Sequence, residues 1–263
     1  MPQRAGSAIV ESIAAEFPKF TTDLLLIHGL WCTAAVWRKC MGYLAHRGWN
    51  CHALGLRGHG TATAPGPIGQ VRIADHLSDL RALIEACDAP PVLVGHDLGG
   101  LLALHVTDAV RARVALAPLV PPPLGRGPQL VLSRWSARWS MLRSRQLPVP
   151  TGAAARAFFG VSVPGGVGAD SGSLAREITR GNGVQPKPSA VPTLVLAGEH
   201  DAISAPADIR ELATSISATL HQVQGAGHGM PWEAGWERRV GEVHRWLVQT
   251  LGESLLLPRE EEE

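Results

Sequence analysis

Val94-Gly95-His96-Asp97-Leu98-Gly99-Gly100 decides how this chain is read. It joins the apolar run Pro91-Val92-Leu93-Val94 to a second run that opens at Leu98, with glycines on either side of one acid. A short apolar run closed by a turn suits a buried strand, and the run over 98–107 suits a helix. Glycines at 95 and 99 fit a bend so tight that a side chain at either would strike the adjoining strand or helix. The residue between them is then held in a strained conformation with its side chain out over the sheet. The pattern is G-x-D-x-G, a nucleophile elbow with aspartate where serine is more usual. The plain alternative is a strand-to-helix turn in which Asp97 only caps the helix.

Apolar strand-like runs also cover 23–28, 50–56 and 110–117, and helical spacing covers 33–47 and 73–87, where Ile73, Leu77, Leu80, Leu83 and Ile84 recur at three and four. Strands alternating with helices predict an α/β fold, a mostly parallel sheet with helices on both faces. The alternation stops at Pro118. Residues 118–192 open on Pro121-Pro122-Pro123 and hold glycine- and proline-rich patches, with room for helices near 129–145, 153–159 and 174–180. They are read as a small inserted helical cap. The sheet resumes over 193–197, followed by a helix at 206–215, a strand at 219–223 and a helix at 235–251. The organisation expected is a core of 1–117 and 193–255, a cap of 118–192, and a disordered acidic tail of 256–263.

Two later loops share the character of the elbow. Gly198-Glu199-His200-Asp201 follows one strand, and Gly225-Ala226-Gly227-His228-Gly229 follows the last. In a parallel sheet all three loops open at the carboxyl edge, where ligands gather. An acid, a second acid and a histidine delivered to one edge suit nucleophilic catalysis: Asp97 attacks, His228 acts as base, and Asp201 orients the imidazole.

With Leu26-Ile27-His28-Gly29-Leu30-Trp31, the elbow and the two later loops, the chain resembles the α/β-hydrolase superfamily over nearly its whole length outside the cap and the tails. The resemblance implies an α/β-hydrolase fold and an oxyanion hole formed by the backbone N–H groups of Leu30 and Leu98. It also implies a structural His28 and a structural Leu56-Arg57-Gly58-His59-Gly60 loop, with His59 packed or capping. Aspartate at the elbow is similar to the epoxide hydrolases and the haloalkane and haloacid dehalogenases. That branch implies an alkyl ester on Asp97, hydrolysed by water that His228 activates. The chain departs from it in three places. Leu98 follows the nucleophile, Trp31 replaces the usual proline of His-Gly-x-Pro, and the one tyrosine, Tyr43, sits in the first predicted helix rather than the cap. Other readings stay open: a non-hydrolytic cyclase, epimerase or lyase with Asp97 as general base, an ester or lactone hydrolase, and a receptor-like binding protein.

Segment 118–192 holds nine basic against two acidic residues, a net +7. Leu130, Trp135, Trp139 and Leu142 recur near helical spacing, so the expected helix lays an apolar stripe on the sheet domain with its arginines in water. Trp135 and Trp139, with Trp31, Phe158 and Phe159, are the candidate lining of a substrate pocket.

Composition bounds the rest. The 263 residues are 45% hydrophobic and 18% charged, enough apolar material for one sizeable core. A formal net charge of +1 lacks the footprint of a nucleic-acid binder. No apolar stretch reaches the roughly 18 residues of a membrane span, and Ala8-Ile9-Val10 is too short for a signal-peptide core. Cys32, Cys40, Cys51 and Cys87 form no C-x-x-C pair and are expected as reduced, packed thiols in a cytoplasmic protein. No metal constellation, phosphate loop or dinucleotide fingerprint is found, so no cofactor is expected. The expected partner is a small-molecule substrate, with no nucleic acid or membrane, for a monomer or homodimer.

Overall fold

A computed structural model describes residues 4–5, 8–60, 62, 64, 66–126, 132–160, 163, 165–181 and 184–256. Its centre is a run of parallel strands: β3 (Leu24–Ile27), β4 (Cys51–Gly55), β5 (Val92–His96), β6 (Ala112–Leu116), β9 (Thr193–Gly198) and β10 (Thr219–Val223). With β1 (Arg4–Ala5) and β2 (Ala8–Ile13) they form an eight-stranded sheet in the order β1-β2-β4-β3-β5-β6-β9-β10. Strands β3 to β6 and β9 are buried at every position, as the uninterrupted apolar runs require of strands covered on both sides.

Alternation along β9 shows the two covers. Leu194 and Leu196 join the cluster that includes Val240, Val243 and Leu247 of helix α8 (Trp236–Leu251). Val195 and Ala197 join Ile209, Leu212 and Ala213 of helix α7 (Pro206–Ser215) on the other face. Helix α1 (Arg38–Ala45) packs beside α8, and α2 (Ile73–Glu85) beside α3 (Leu98–His105). The mostly parallel sheet with helices on both faces is the architecture expected. Helix α3 is apolar almost all round and every residue from Leu98 to Leu104 is buried, so it lies inside the fold. The buried Arg113 of β6 staples its end, donating to the carbonyl oxygens of Leu104 at 2.8 Å and Val106 at 3.0 Å.

Three features differ from the sequence expectations. The amino-terminal residues add strands: β2 runs antiparallel to β4 with Ile9 opposite Gly55 and Ile13 opposite Cys51, and β1 folds back on β2. Within 118–192 a two-stranded antiparallel sheet pairs β7 (Gln146–Leu147) with β8 (Asp170–Ser171), between helices α4 (Trp135–Arg143), α5 (Gly152–Phe159) and α6 (Gly172–Arg180). The apolar stripe expected of α4 is turned the other way. Trp135, Trp139 and Leu142 are exposed, while Ala137 and Ser140 are buried. Close approach decides the face: a Cβ at Gly172 would collide with the Ser140 carbonyl, so α4 meets the start of α6 through its small residues. Leu130 lies outside the described residues, as does the tail from 257, and Leu256 bridges Phe20.

Cys32, Cys40 and Cys51 are buried free thiols and Cys87 is half-buried. Among the described residues no helix is long and apolar enough to cross a membrane, and no three His, Cys, Asp or Glu side chains gather as metal ligands.

Candidate active site

Asp97 sits between β5 and α3 at φ 54° and ψ −116°, a conformation that side chains rarely adopt. Its backbone is held from three sides. The N–H donates to Leu116 O at 3.1 Å, and the carbonyl accepts from Leu101 N and Leu119 N at 3.1 Å each. A Cβ on Gly95 would meet the Gly99 carbonyl, and one on Gly99 would meet the carbonyl of Ile27. Both glycines are therefore required by contact, as the sequence predicts. The Asp97 side chain makes no capping hydrogen bond to α3, which removes the plain N-cap alternative.

That side chain instead lies against two other loops. Oδ2 accepts the Leu30 N–H at 2.7 Å, and Oδ1 is 3.3 Å from Nε2 of His228. A Cβ on Gly29 would lie 2.6 Å from Oδ2, so the His28-Gly29-Leu30 loop approaches the carboxylate only because position 29 is bare. Oδ1 is buried and makes no hydrogen bond among the described residues. The Leu98 N–H, at the first position of α3, has no acceptor within its own helix and belongs to the same corner.

His228 bridges the two acids. Its Nδ1 lies 2.9 Å from Asp201 Oδ2, and both side chains are fully buried. The other oxygen of Asp201 accepts from Ile203 N at 2.8 Å and Ser204 N at 2.9 Å, which locks the carboxylate in place. The His228 loop is pinned as well. Gly227 N donates to Glu233 at 2.9 Å, and the His228 carbonyl accepts from Nε2 of His96 at 2.8 Å. Burial opposes a charged ring here, but the Asp201 carboxylate and then Asp97 outweigh it and push His228 up to about 10. The two acids flanking the ring thus favour its protonated form.

Aromatic rings roof this group. Phe158 of α5 lies 4.8 Å from the His228 ring and 5.0 Å from Trp31, and Phe159 lies 6.5 Å from Trp31. The three rings are buried, so they shut the carboxylate and imidazole off from water. Trp31, Phe158 and Phe159 thus gather at the site. Trp135 and Trp139 do not: they border a surface groove with Pro67 and Arg143, and the Arg143 guanidinium stacks 4.8 Å over Trp139. Tyr43 packs against Trp236 at 5.9 Å, under Arg47.

His28 and His59 have structural partners. His28 donates from Nδ1 to Gly29 O at 2.9 Å and accepts the Leu56 N–H on Nε2 at 3.1 Å; burial, then the neighbouring His59, pushes it down to about 3. His59 pairs with Asp170 at 3.1 Å, a contact the sequence does not signal. Asp170 stands in a glycine-rich stretch with no periodicity around it. His96 and Glu233 were also missed, although His96 adjoins the elbow acid.

A family model described as "Alpha/beta hydrolase family" matches residues 24–243. A pyrethroid hydrolase of Sphingobium wenxiniae is 29% identical over 109 residues, 39% of this chain and 38% of that protein. A putative carbamate hydrolase, RutD, of Variovorax paradoxus is 38% identical over 98 residues, 37% of this chain and 36% of that protein. The chain thus aligns with little more than a third of the length of these curated relatives. Among solved structures, a monoacylglycerol lipase of Paleococcus ferrophilus superposes with a TM-score of 0.70 at 21% identity, over 93% of this chain and 98% of that one.

Proposed function

The chain belongs to the alpha/beta hydrolase family, and from that premise we propose that it hydrolyses a small organic molecule through an ester on Asp97, with His228 and Asp201 completing the triad. One observation carries the reading, the division of labour between the two oxygens of Asp97. Oδ2 already rests on the Leu30 donor, while Oδ1 accepts no hydrogen bond among the described residues and faces Nε2 of His228 at 3.3 Å. Oδ1 is the attacking atom. It bonds to an electrophilic carbon and the carbon's bond to its leaving atom breaks, the pair departing with that atom. Oδ2 becomes the ester carbonyl oxygen and is in place to carry the tetrahedral charge when water adds. A donor so placed is worth roughly 3–4 kcal/mol in related acyl chemistry.

The imidazolium supports an epoxide-like substrate. As Asp97 alkylates, its negative charge disappears, and with it one of the interactions that hold the proton on His228. The proton passes to the departing oxygen, the task for which this chain offers no cap tyrosine. The neutral Nε2 then takes a proton from the water that attacks the Asp97 carbonyl carbon. The tetrahedral intermediate collapses with cleavage of the carbonyl carbon–oxygen bond, and the expelled alkoxide is protonated from His228. The carboxylic acid left behind returns its proton to the ring, restoring the ion pair. The apolar roof of Trp31, Phe158 and Phe159 suits a small uncharged or weakly polar substrate.

The names of the two curated relatives favour a second reading, in which the same triad acts on an acyl carbon such as an ester or carbamate. Attack by Asp97 there yields a mixed anhydride rather than an alkyl ester. The test is intact-protein mass measurement of His228→Ala mixed with haloalkanes, epoxides and aryl esters that the native enzyme turns over. The expected result is an alkyl adduct on the peptide holding Asp97, clearest with a haloalkane, whose halide departs without a proton. An acyl adduct supports the second reading. The absence of an adduct at Asp97 with a halide substrate that the native enzyme turns over, or of label in the Asp97 carboxylate of the native enzyme after turnover in H₂¹⁸O, overturns covalent catalysis. In a single turnover in H₂¹⁸O, the label should appear in the Asp97 carboxylate and not in the newly formed hydroxyl of the product.

A further inference from the structure

Leu30 and Trp31 send consecutive backbone N–H groups to two different buried carboxylates. Leu30 donates to Asp97 Oδ2 at 2.7 Å, and Trp31 donates to Asp170 Oδ2 at 3.0 Å. Asp170 comes from β8, 139 residues further along the chain. Its carboxylate is saturated: Oδ2 also meets Nε2 of His59 at 3.1 Å, and Oδ1 accepts the Ser171 N–H at 2.7 Å. Both side chains of the His59–Asp170 pair are 1% exposed.

Such a pair is costly to bury unless hydrogen bonds satisfy its remaining lone pairs, and the Trp31 N–H is one of the donors that do so. This residue has φ 58°, a left-handed conformation that strains a bulky side chain. Segment 165–171 grips it on both sides, since Gly168 N donates to the Trp31 carbonyl at 3.0 Å while Asp170 takes the Trp31 N–H. Rotating the Trp31 N–H away from Asp170 would turn the preceding peptides and carry the Leu30 donor off Asp97. The Asp170 charge is firmly kept: burial works against it, but His59 and the backbone N–H groups pull the carboxyl down to about 2.

We propose that Asp170 is a positioning residue for the oxyanion loop, fixing the Trp31 backbone so that the Leu30 N–H stays aimed at Oδ2 of Asp97. The inference rests on the ester mechanism above and adds a residue to it. It implies an asymmetry between the two halves of the reaction. In the first half Oδ2 loses negative charge, so the donor contributes little to the barrier. In the second half water adds and the full charge returns to Oδ2, so the donor contributes most. A loosened loop therefore slows breakdown of the ester more than its formation.

Asp170→Asn is the variant, measured by stopped-flow with quenched intact mass on a substrate of the native enzyme. The replacement amide loses the charge that pairs with His59 and sets an NH₂ against either the Trp31 or the Ser171 N–H, so the anchor is weakened without loss of volume. The expected result is a covalent adduct at Asp97 that accumulates during turnover, with breakdown roughly 10- to 100-fold slower, adduct formation within about threefold of native, and kcat and KM falling together. Ser171→Ala is the control for mere stability. It removes hydroxyl bonds to Gly69 O and Val71 O beside the same strand without touching Trp31, and should lower Tm with no accumulated adduct. Should Asp170→Asn fail to fold, His59→Gln weakens the same anchor more mildly and should shift breakdown in the same direction. If either folded variant slows both halves equally, or only lowers the active fraction at unchanged KM, the positioning role is overturned. An adduct in His228→Ala with none in the Asp170 variant refutes this inference alone, whereas no ¹⁸O in the Asp97 carboxylate of the native enzyme after turnover refutes the ester mechanism itself.

Discussion

Replacing Asp201 by Asn tests the electrostatic core of the site. Native His228 rises from 6.5 to about 10, with Asp201 first among the groups that raise it. At about 1.36 kcal/mol per pKa unit, that rise corresponds to about 5 kcal/mol of preference for the charged ring in the folded protein. The sign follows from the direction. A histidine raised on folding stabilises the protein fully below its unfolded value near 6.5, and the contribution is lost as pH climbs through about 10. Native Tm should therefore fall steadily across that window. In Asp201→Asn the new amide keeps an oxygen for the Ile203 and Ser204 N–H groups and turns its nitrogen toward Nδ1 of His228. The ring then carries its proton on Nε2, where it cannot accept one from water. The expected results are a His228 pKa of about 7 or lower by ¹⁵N-detected titration, a flatter Tm profile from pH 6.5 to 10, and a kcat loss on the order of 10³- to 10⁴-fold. A ring that still titrates near 10 in Asp201→Asn, or a native Tm that holds steady over the window, would refute the reasoning.

Gly99→Ala drives a methyl into the Ile27 and His28 carbonyls, which are backbone and cannot swing aside; urea unfolding should show a loss at the upper end of roughly 1–3 kcal/mol or beyond. Phe158→Ala removes the ring that packs on both Trp31 and His228; chemical denaturation should register a loss of about 3–5 kcal/mol, and a loss under about 1 kcal/mol would mean the roof is not packed as described. Arg113→Met strips the donors from Leu104 O, Val106 O and Thr193 Oγ1 in a fully buried place; a drop of about 3 kcal/mol is expected, with faster amide exchange at the end of α3.

The strand and helix patterns were legible wherever a segment's own residues decided its environment. Pro206–Ser215 and Thr219–Val223 fall where turn residues and apolar spacing put them. The elbow was legible because its geometry demands bare positions, and the two glycines around Asp97 advertise it. Strand β2 was not, since an edge-proximal strand needs only a brief alternation, and Ala8-Ile9-Val10 reads equally as a stray apolar patch. The face of α4 was misjudged for a different reason. Hydrophobic spacing says which residues could be buried, but the close approach to α6 selects the small ones. Asp170 was invisible because its role exists only through Trp31 and His59, both more than 100 residues away.

The carboxylate at the bend lodges one of its own oxygens in the Leu30 socket. Boronic acids and fluorophosphonates, which trap serine enzymes by imitating the tetrahedral stage, thus meet at position 97 neither a hydroxyl to join nor an empty berth for their anion. Chemical surveys built on such reagents pass this centre over in silence, and small carbon electrophiles are the bait that will expose it.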